Sequence, residues 1–248
     1  MINSCREKRT LLNWYKVLGV DVLFYSLPDE IKLNKIDKQR PFSMPPDSCR
    51  SNNVFVPTDA CRKSIDEINE LSALYEEIRK IDCPIKRTAR NIVISDGDPK
   101  SKIMLIGEAP GYDEDLQGKP FVGQSGILLN KMLNSVGINR EDVFITNVCY
   151  WRPPGNRNPS PDEISLCLPY VKHLIKLVNP KVIMLLGSVA THALLDTMQP
   201  ISKLRGRLVD VMGIKTIPTY HPAYLLRSPV QKKFAYDDLK LLAQCYKS

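Results

Sequence analysis

No run of about 18 apolar residues occurs anywhere in this 248-residue chain, which excludes a membrane-spanning helix. No CxxC pair occurs among its seven cysteines (Cys5, Cys49, Cys61, Cys83, Cys149, Cys167, Cys245). Their odd number and wide scatter exclude a disulfide framework and place the expected home of the chain in the reducing cytoplasm. Arg6, Glu7, Lys8 and Arg9 stand at the N-terminus, with no apolar segment and small-residue cleavage site behind them, so a secretory signal is not expected. No internal repeat is present. Acidic side chains are the scarcer sign, 27 against 35 Lys and Arg, and the formal net charge is +8. That excess admits an acidic partner, nucleic acid first. Hydrophobic residues at 43% and charged residues at 25% exclude a wholly disordered chain. At roughly 100–200 residues per domain, the length suits one domain and an appendage.

Along the chain, three parts separate. Over residues 1–40, Leu11, Leu12, Tyr15, Leu18 and Val22 recur at helical spacing, which predicts a helical N-terminal extension. Residues 41–62 are rich in Pro, Ser, Asn and Asp and read as a linker. Residues 63–248 form the main domain, opening with a polar helix at about 63–80. Four short apolar runs follow: 103–106, 142–147, 182–186 and 216–220, the last weakened by Pro218 and so expected at a sheet edge. Amphipathic segments lie between them. One spans about 125–136 and stops at Gly137. Another opens with Ser160-Pro-Asp-Glu163, a capping box with proline at the first helical position. Alternating strands and helices predict an α/β fold with a parallel sheet covered on both faces.

Ligands of such sheets sit beyond the carboxyl ends of the strands. Here those ends carry Gly107-Glu108, Asn147, Gly187-Ser188 and His221. A carboxylate, an amide, a hydroxyl and an imidazole at four successive strand ends mark one rim as the candidate site. His173 and His192 fall within helices, outside any motif, and are expected to be structural or on the surface.

The motifs Gly107-Glu-Ala-Pro-Gly-Tyr-Asp-Glu-Asp115, Gly118-Lys-Pro-Phe-Val-Gly123, Thr146-Asn147, Leu186-Gly-Ser188 and His221-Pro-Ala-Tyr-Leu-Leu-Arg227 resemble those of the family 4 uracil-DNA glycosylases over about residues 80–246. The N-terminal extension resembles that of an alphaproteobacterial subgroup. The resemblance implies a three-layer α/β/α sandwich around a four-stranded parallel sheet. It implies hydrolysis of the bond between uracil and deoxyribose, leaving an abasic site. It assigns His221 to the leaving group and makes Glu108 the carboxylate best placed to orient water. Ala109 stands where another branch of the superfamily has aspartate. Ala109, Gly111, Phe121 and Asn147 are then the base-binding residues, Phe121 for stacking and Asn147 for reading uracil. Ser125 and Ser188 open helices that suit phosphates. Tyr224, Leu225 and Leu226 match the wedge that fills the gap left by a flipped base, with Arg227 beside them. The stretch from Lys203 to Lys233 holds seven basic residues against Asp210 alone, an expected DNA-facing band.

One part of the family pattern is broken. The family's [4Fe–4S] cluster takes four thiolates. In this chain the four positions hold Lys80, Cys83, Trp151 and Cys167. Cys149 lies two residues from the third position, but nothing replaces Lys80, so no cluster and no other cofactor is expected. The partner expected is uracil-containing DNA, single- or double-stranded, bound by a monomer. Two other functions fit the same motifs. One is a non-catalytic uracil- or DNA-binding module associated with replication. The other is a glycosylase for a different deaminated base, hypoxanthine or xanthine.

Overall fold

The computed structural model of the protein describes residues 65–247. The N-terminal helical face and the linker at 41–62 lie outside the described residues. The polar helix expected at 63–80 is shorter, α1 (Leu71–Lys80). The chain continues through β1 (Ser95–Gly97), β2 (Ile103–Gly107), α2 (Tyr112–Gln117), α3 (Gln124–Asn134), β3 (Val143–Asn147) and α4 (Pro161–Val178). It closes with β4 (Val182–Leu186), α5 (Ser188–Leu195), α6 (Ile201–Leu204), β5 (Val209–Val211), β6 (Ile214–Thr219), α7 (Pro222–Arg227) and α8 (Lys232–Lys247).

The sheet order is β1-β3-β2-β4-β6-β5. The central β3-β2-β4-β6 is parallel, as expected, with Gly107 level with Asn147 and Leu186 with Thr219. The sheet has six strands rather than four, because β1 and β5 add antiparallel edges. Each edge strand has only three residues, Ser-Asp-Gly and Val-Asp-Val, too few to stand out as a buried run. The expectation that Pro218 marks an edge is also corrected. β5 covers β6 only as far as Thr216. The Pro218 carbonyl accepts from Gly206 N on the side away from β4. Its nitrogen points to that same side, past the end of β5, where no strand needs its missing N–H.

Side-chain alternation splits the core in two. Met104, Ile106, Phe144, Ile183 and Leu185 pack under α1, α4 and α5. Ile103, Leu105, Val143, Ile145, Met184 and Ile217 pack under α3, α7 and α8. These strands are buried on both faces, and each fully buried Ile or Leu contributes roughly 1.5–3 kcal/mol. Local chemistry sets the helix ends. Ser160 Oγ accepts from Glu163 N at 3.2 Å while Glu163 Oε2 accepts from Ser160 N at 2.7 Å, starting α4. Gly137 turns at φ 76 just beyond α3, the stop expected from the sequence.

Candidate active site

The carboxyl ends of β2, β3 and β6 open on one pocket of about 370 Å³. Glu108, Ala109, Gly111, Phe121, Asn147 and His221 all line it, so the expected catalytic and base-binding residues meet in one place. Ser125, Tyr224 and Arg227 line it too.

Gly107 explains how the centre of the pocket is assembled. A Cβ there would stand 2.4 Å from Asn147 Oδ1 and 2.6 Å from the Phe121 ring. Only glycine lets the amide and the ring close over the end of β2. Asn147 is 1% exposed, and its Oδ1 has no hydrogen-bond partner among the described residues. A buried acceptor left unpaired costs about 1–3 kcal/mol, which a donor on a bound ring would recover. The Phe121 ring lies 5.6 Å from the His221 ring, centroid to centroid, with a 33° tilt between the planes. Phe121 holds φ at 53°, a conformation rare for a bulky side chain.

His221 is the N-cap of α7, and its Nδ1 accepts from Ala223 N at 3.1 Å. With Nδ1 used as acceptor, the neutral ring carries its proton on Nε2. Burial, reinforced by the positive charge of Arg227, pushes the imidazole down to about 4. At neutral pH the ring is therefore an uncharged donor. Gly187 permits its approach, since a Cβ there would lie 2.9 Å from His221 Cβ. Glu108 is half-buried, and burial raises its carboxyl above the usual range. A carboxylate shifted in this direction is a better proton acceptor.

The loop after β2 is built around two carboxylates. Glu114 Oε1 accepts from Val122 N and Gly123 N at 3.0 and 2.9 Å, and Oε2 from Gly111 N at 3.1 Å. Asp115 Oδ1 accepts from Arg90 N and Asn91 N. Both are structural, which leaves Glu108 as the pocket carboxylate without such a duty.

Two expectations change, and one part of the pocket is new. Leu225 is fully buried, because α7 turns it inward onto the core shared with α3 and α8; it is not a wedge. Leu226 is exposed and Ser188 opens α5, both outside the pocket lining, where residues expected to meet the DNA strand can stand. The basic stretch is not one outward band. Arg205 is tied to the buried Asp238 and to Phe234 O, and Lys232 is buried. The loop of residues 153–158 was missed: Pro153, Asn156, Arg157 and Asn158 line the pocket. Arg157 is held there by a two-point pair with Glu163 at 2.6 and 2.8 Å. Its signal was the polar Asn-Arg-Asn run just ahead of the capping box. His173 and His192 bond Ile68 O and Gln199 O, away from the pocket, as expected.

The four positions at which the resemblance implies cluster thiolates hold Lys80, Cys83, Trp151 and Cys167, and only two of them bear a thiol. Lys80 is exposed and pairs with Glu77 at 2.6 Å. The Trp151 side chain is 2% exposed and lies in the same core cluster as Cys83, Cys149 and Cys167. The thiols of Cys149 and Cys167 hydrogen-bond to each other, and Cys149 Sγ lies 3.6 Å from Trp151 O. Among the described residues, no group of three or more His, Cys, Asp or Glu is arranged to hold a metal ion.

A sheet with a parallel centre, covered by helices on both faces, thus carries at its strand ends a pocket lined by an aromatic ring, a buried amide with an unpartnered oxygen and a neutral imidazole. Residues 94–240 match the profile of the uracil DNA glycosylase superfamily. The type-4 uracil-DNA glycosylase of Saccharolobus solfataricus is 39% identical over 191 residues, covering 73% of this chain and 88% of that one. The type-4 enzyme of Thermotoga maritima is 42% identical over 166 residues, covering 66% and 85%. That of Archaeoglobus fulgidus is 39% identical over 170 residues, covering 65% and 85%. This chain belongs to the uracil DNA glycosylase superfamily.

Proposed function

We propose that the protein is a DNA repair glycosylase that flips uracil out of DNA and hydrolyses its N-glycosidic bond. The observation that carries this is the buried, unpartnered Oδ1 of Asn147, a residue that lines the same pocket as Phe121 and His221. A base inside a duplex is out of reach, so the nucleotide must rotate into the pocket. Phe121 stacks on the ring. Asn147 Oδ1 accepts from uracil N3–H, and its NH₂ donates to O4. Cytosine has an acceptor at N3 and an amine at position 4, so both bonds fail, at about 1–3 kcal/mol each. As the bond from C1′ to N1 breaks, its electron pair passes to the ring and charge gathers on O2. His221 Nε2–H donates to that oxygen and strengthens as charge develops. Water adds to C1′, and Glu108 orients it and takes its proton.

The finer features of the proposal are these. The substrate is uracil in single-stranded DNA or opposite guanine. The protein acts as a cytoplasmic monomer. It works without a cluster, since Lys80 and Trp151 offer no thiolate and Lys80 is instead paired with Glu77. Neither a binding module nor excision of hypoxanthine or xanthine is favoured by the relatives. Incubation with a uracil-containing oligonucleotide, followed by alkali, tests the activity. Strand cleavage at the uracil position is expected, strongly reduced in Asn147→Ala and His221→Ala. Gel-shift binding without any cleavage would overturn the proposal in favour of the module.

A further inference from the structure

Phe121 is held by a device that none of the pocket residues explains. Its backbone adopts a left-handed conformation, φ 53°, which an aromatic residue keeps only when its surroundings impose it. On its C-terminal side the following N–H groups, Val122 and Gly123, go to Glu114. On the other side the carbonyls of Pro120 and Phe121 both go to Arg140. Arg140 Nη2 donates to Pro120 O at 2.7 Å and Nη1 to Phe121 O at 2.8 Å. Nη1 also donates to Asn130 Oδ1 on α3 at 3.2 Å. Nε and Nη2 donate to Asp96 Oδ2 on β1 at 3.1 and 2.7 Å. Every N–H of the guanidinium is thus used, in the planar fork that only arginine provides. Gly126 completes the clamp, because a Cβ there would stand 1.9 Å from Phe121 O.

We infer that Arg140 is a positioning residue for base excision, acting through the Phe121 backbone to set the stacking ring at its place opposite His221. Arg140 itself is outside the pocket lining. It joins the edge strand β1, the helix α3 and the stacking loop at one point. Asp96 in turn holds the guanidinium in plane. The inference rests on the proposed uracil excision. A misplacement of the ring by about 1 Å is enough to lower the rate on the order of 10²-fold.

The test is a double-mutant cycle on single-turnover uracil excision, with binding to abasic-site DNA as the companion measurement. Arg140→Ala is expected to slow excision by about 10- to 100-fold while affinity for abasic-site DNA stays within about threefold. Phe121→Ala slows it too. If Arg140 acts through Phe121, the double variant is no slower than Phe121→Ala alone. Losses that multiply in the double variant, or a folded Arg140→Ala that excises at the wild-type rate, overturn the inference. If Arg140→Ala does not fold, the same cycle runs with Arg140→Lys. That variant keeps the charge beside Asp96 but cannot span both carbonyls, and the same two outcomes decide. A wild-type chain that excises nothing overturns the proposed function instead, so the two failures are distinct.

Discussion

His221 shows how one side chain takes its chemical state from its local backbone. As N-cap of α7 it spends Nδ1 on Ala223 N, and burial keeps the ring uncharged down to about pH 4. The unfolded chain binds this proton near pH 6.5, the folded chain only near 4. Stability tied to this group is therefore fully present above about 6.5 and is lost as pH falls toward 4. Asparagine also caps helices but does not titrate there. His221→Asn should lose less melting temperature than wild type between pH 6.5 and 4, and should excise uracil about 10²- to 10³-fold more slowly. Equal acid sensitivity of the two proteins in thermal melts would contradict the assigned neutral state. Asn147 makes the complementary point: under the proposed function, its unsatisfied Oδ1 awaits the donor that arrives with the base.

Glycines at element ends set how closely the site's parts approach. Gly107 ends β2 and Gly126 lies in the first turn of α3, and each clears a different part of Phe121. Gly107→Ala intrudes on side-chain atoms only, so it should abolish most excision with little change in melting temperature. Gly126→Ala meets the Phe121 carbonyl at 1.9 Å and should also lower stability, by about 1–3 kcal/mol. Thermal melts beside single-turnover rates separate the two. β2, β3 and β4 were legible as apolar runs, β6, Ile-Lys-Thr-Ile-Pro-Thr, only in its second half, and each of the four ends bears a chemically distinct residue. β1 and β5 were not, because three-residue edges carry no periodicity. Leu225 misled for a related reason: its motif is shared with a wedge, but its position on α7 faces inward. The Arg140 clamp left no local trace, since its partners lie 10 to 44 residues away in sequence.

Across the whole molecule, the resemblance placed the domain and the site together, and it also singled out Lys80 and Trp151 at positions where it implies thiolates. The purified protein should carry no stoichiometric iron or sulfide and no absorbance near 400 nm. Stoichiometric iron and sulfide would contradict the account given of Lys80 and Trp151. The net charge of +8 acquires a narrower meaning. Arg227 and Arg157 stand at the pocket, whereas Arg205 serves the fold through Asp238. The measurement closest to the central claim is mass spectrometry of a uracil-containing oligonucleotide after incubation with the protein. The account predicts free uracil in equal amount to an unbroken strand that has lost that base and carries an abasic sugar in its place. Bound DNA with no released uracil, or a strand cut without alkali, would contradict it.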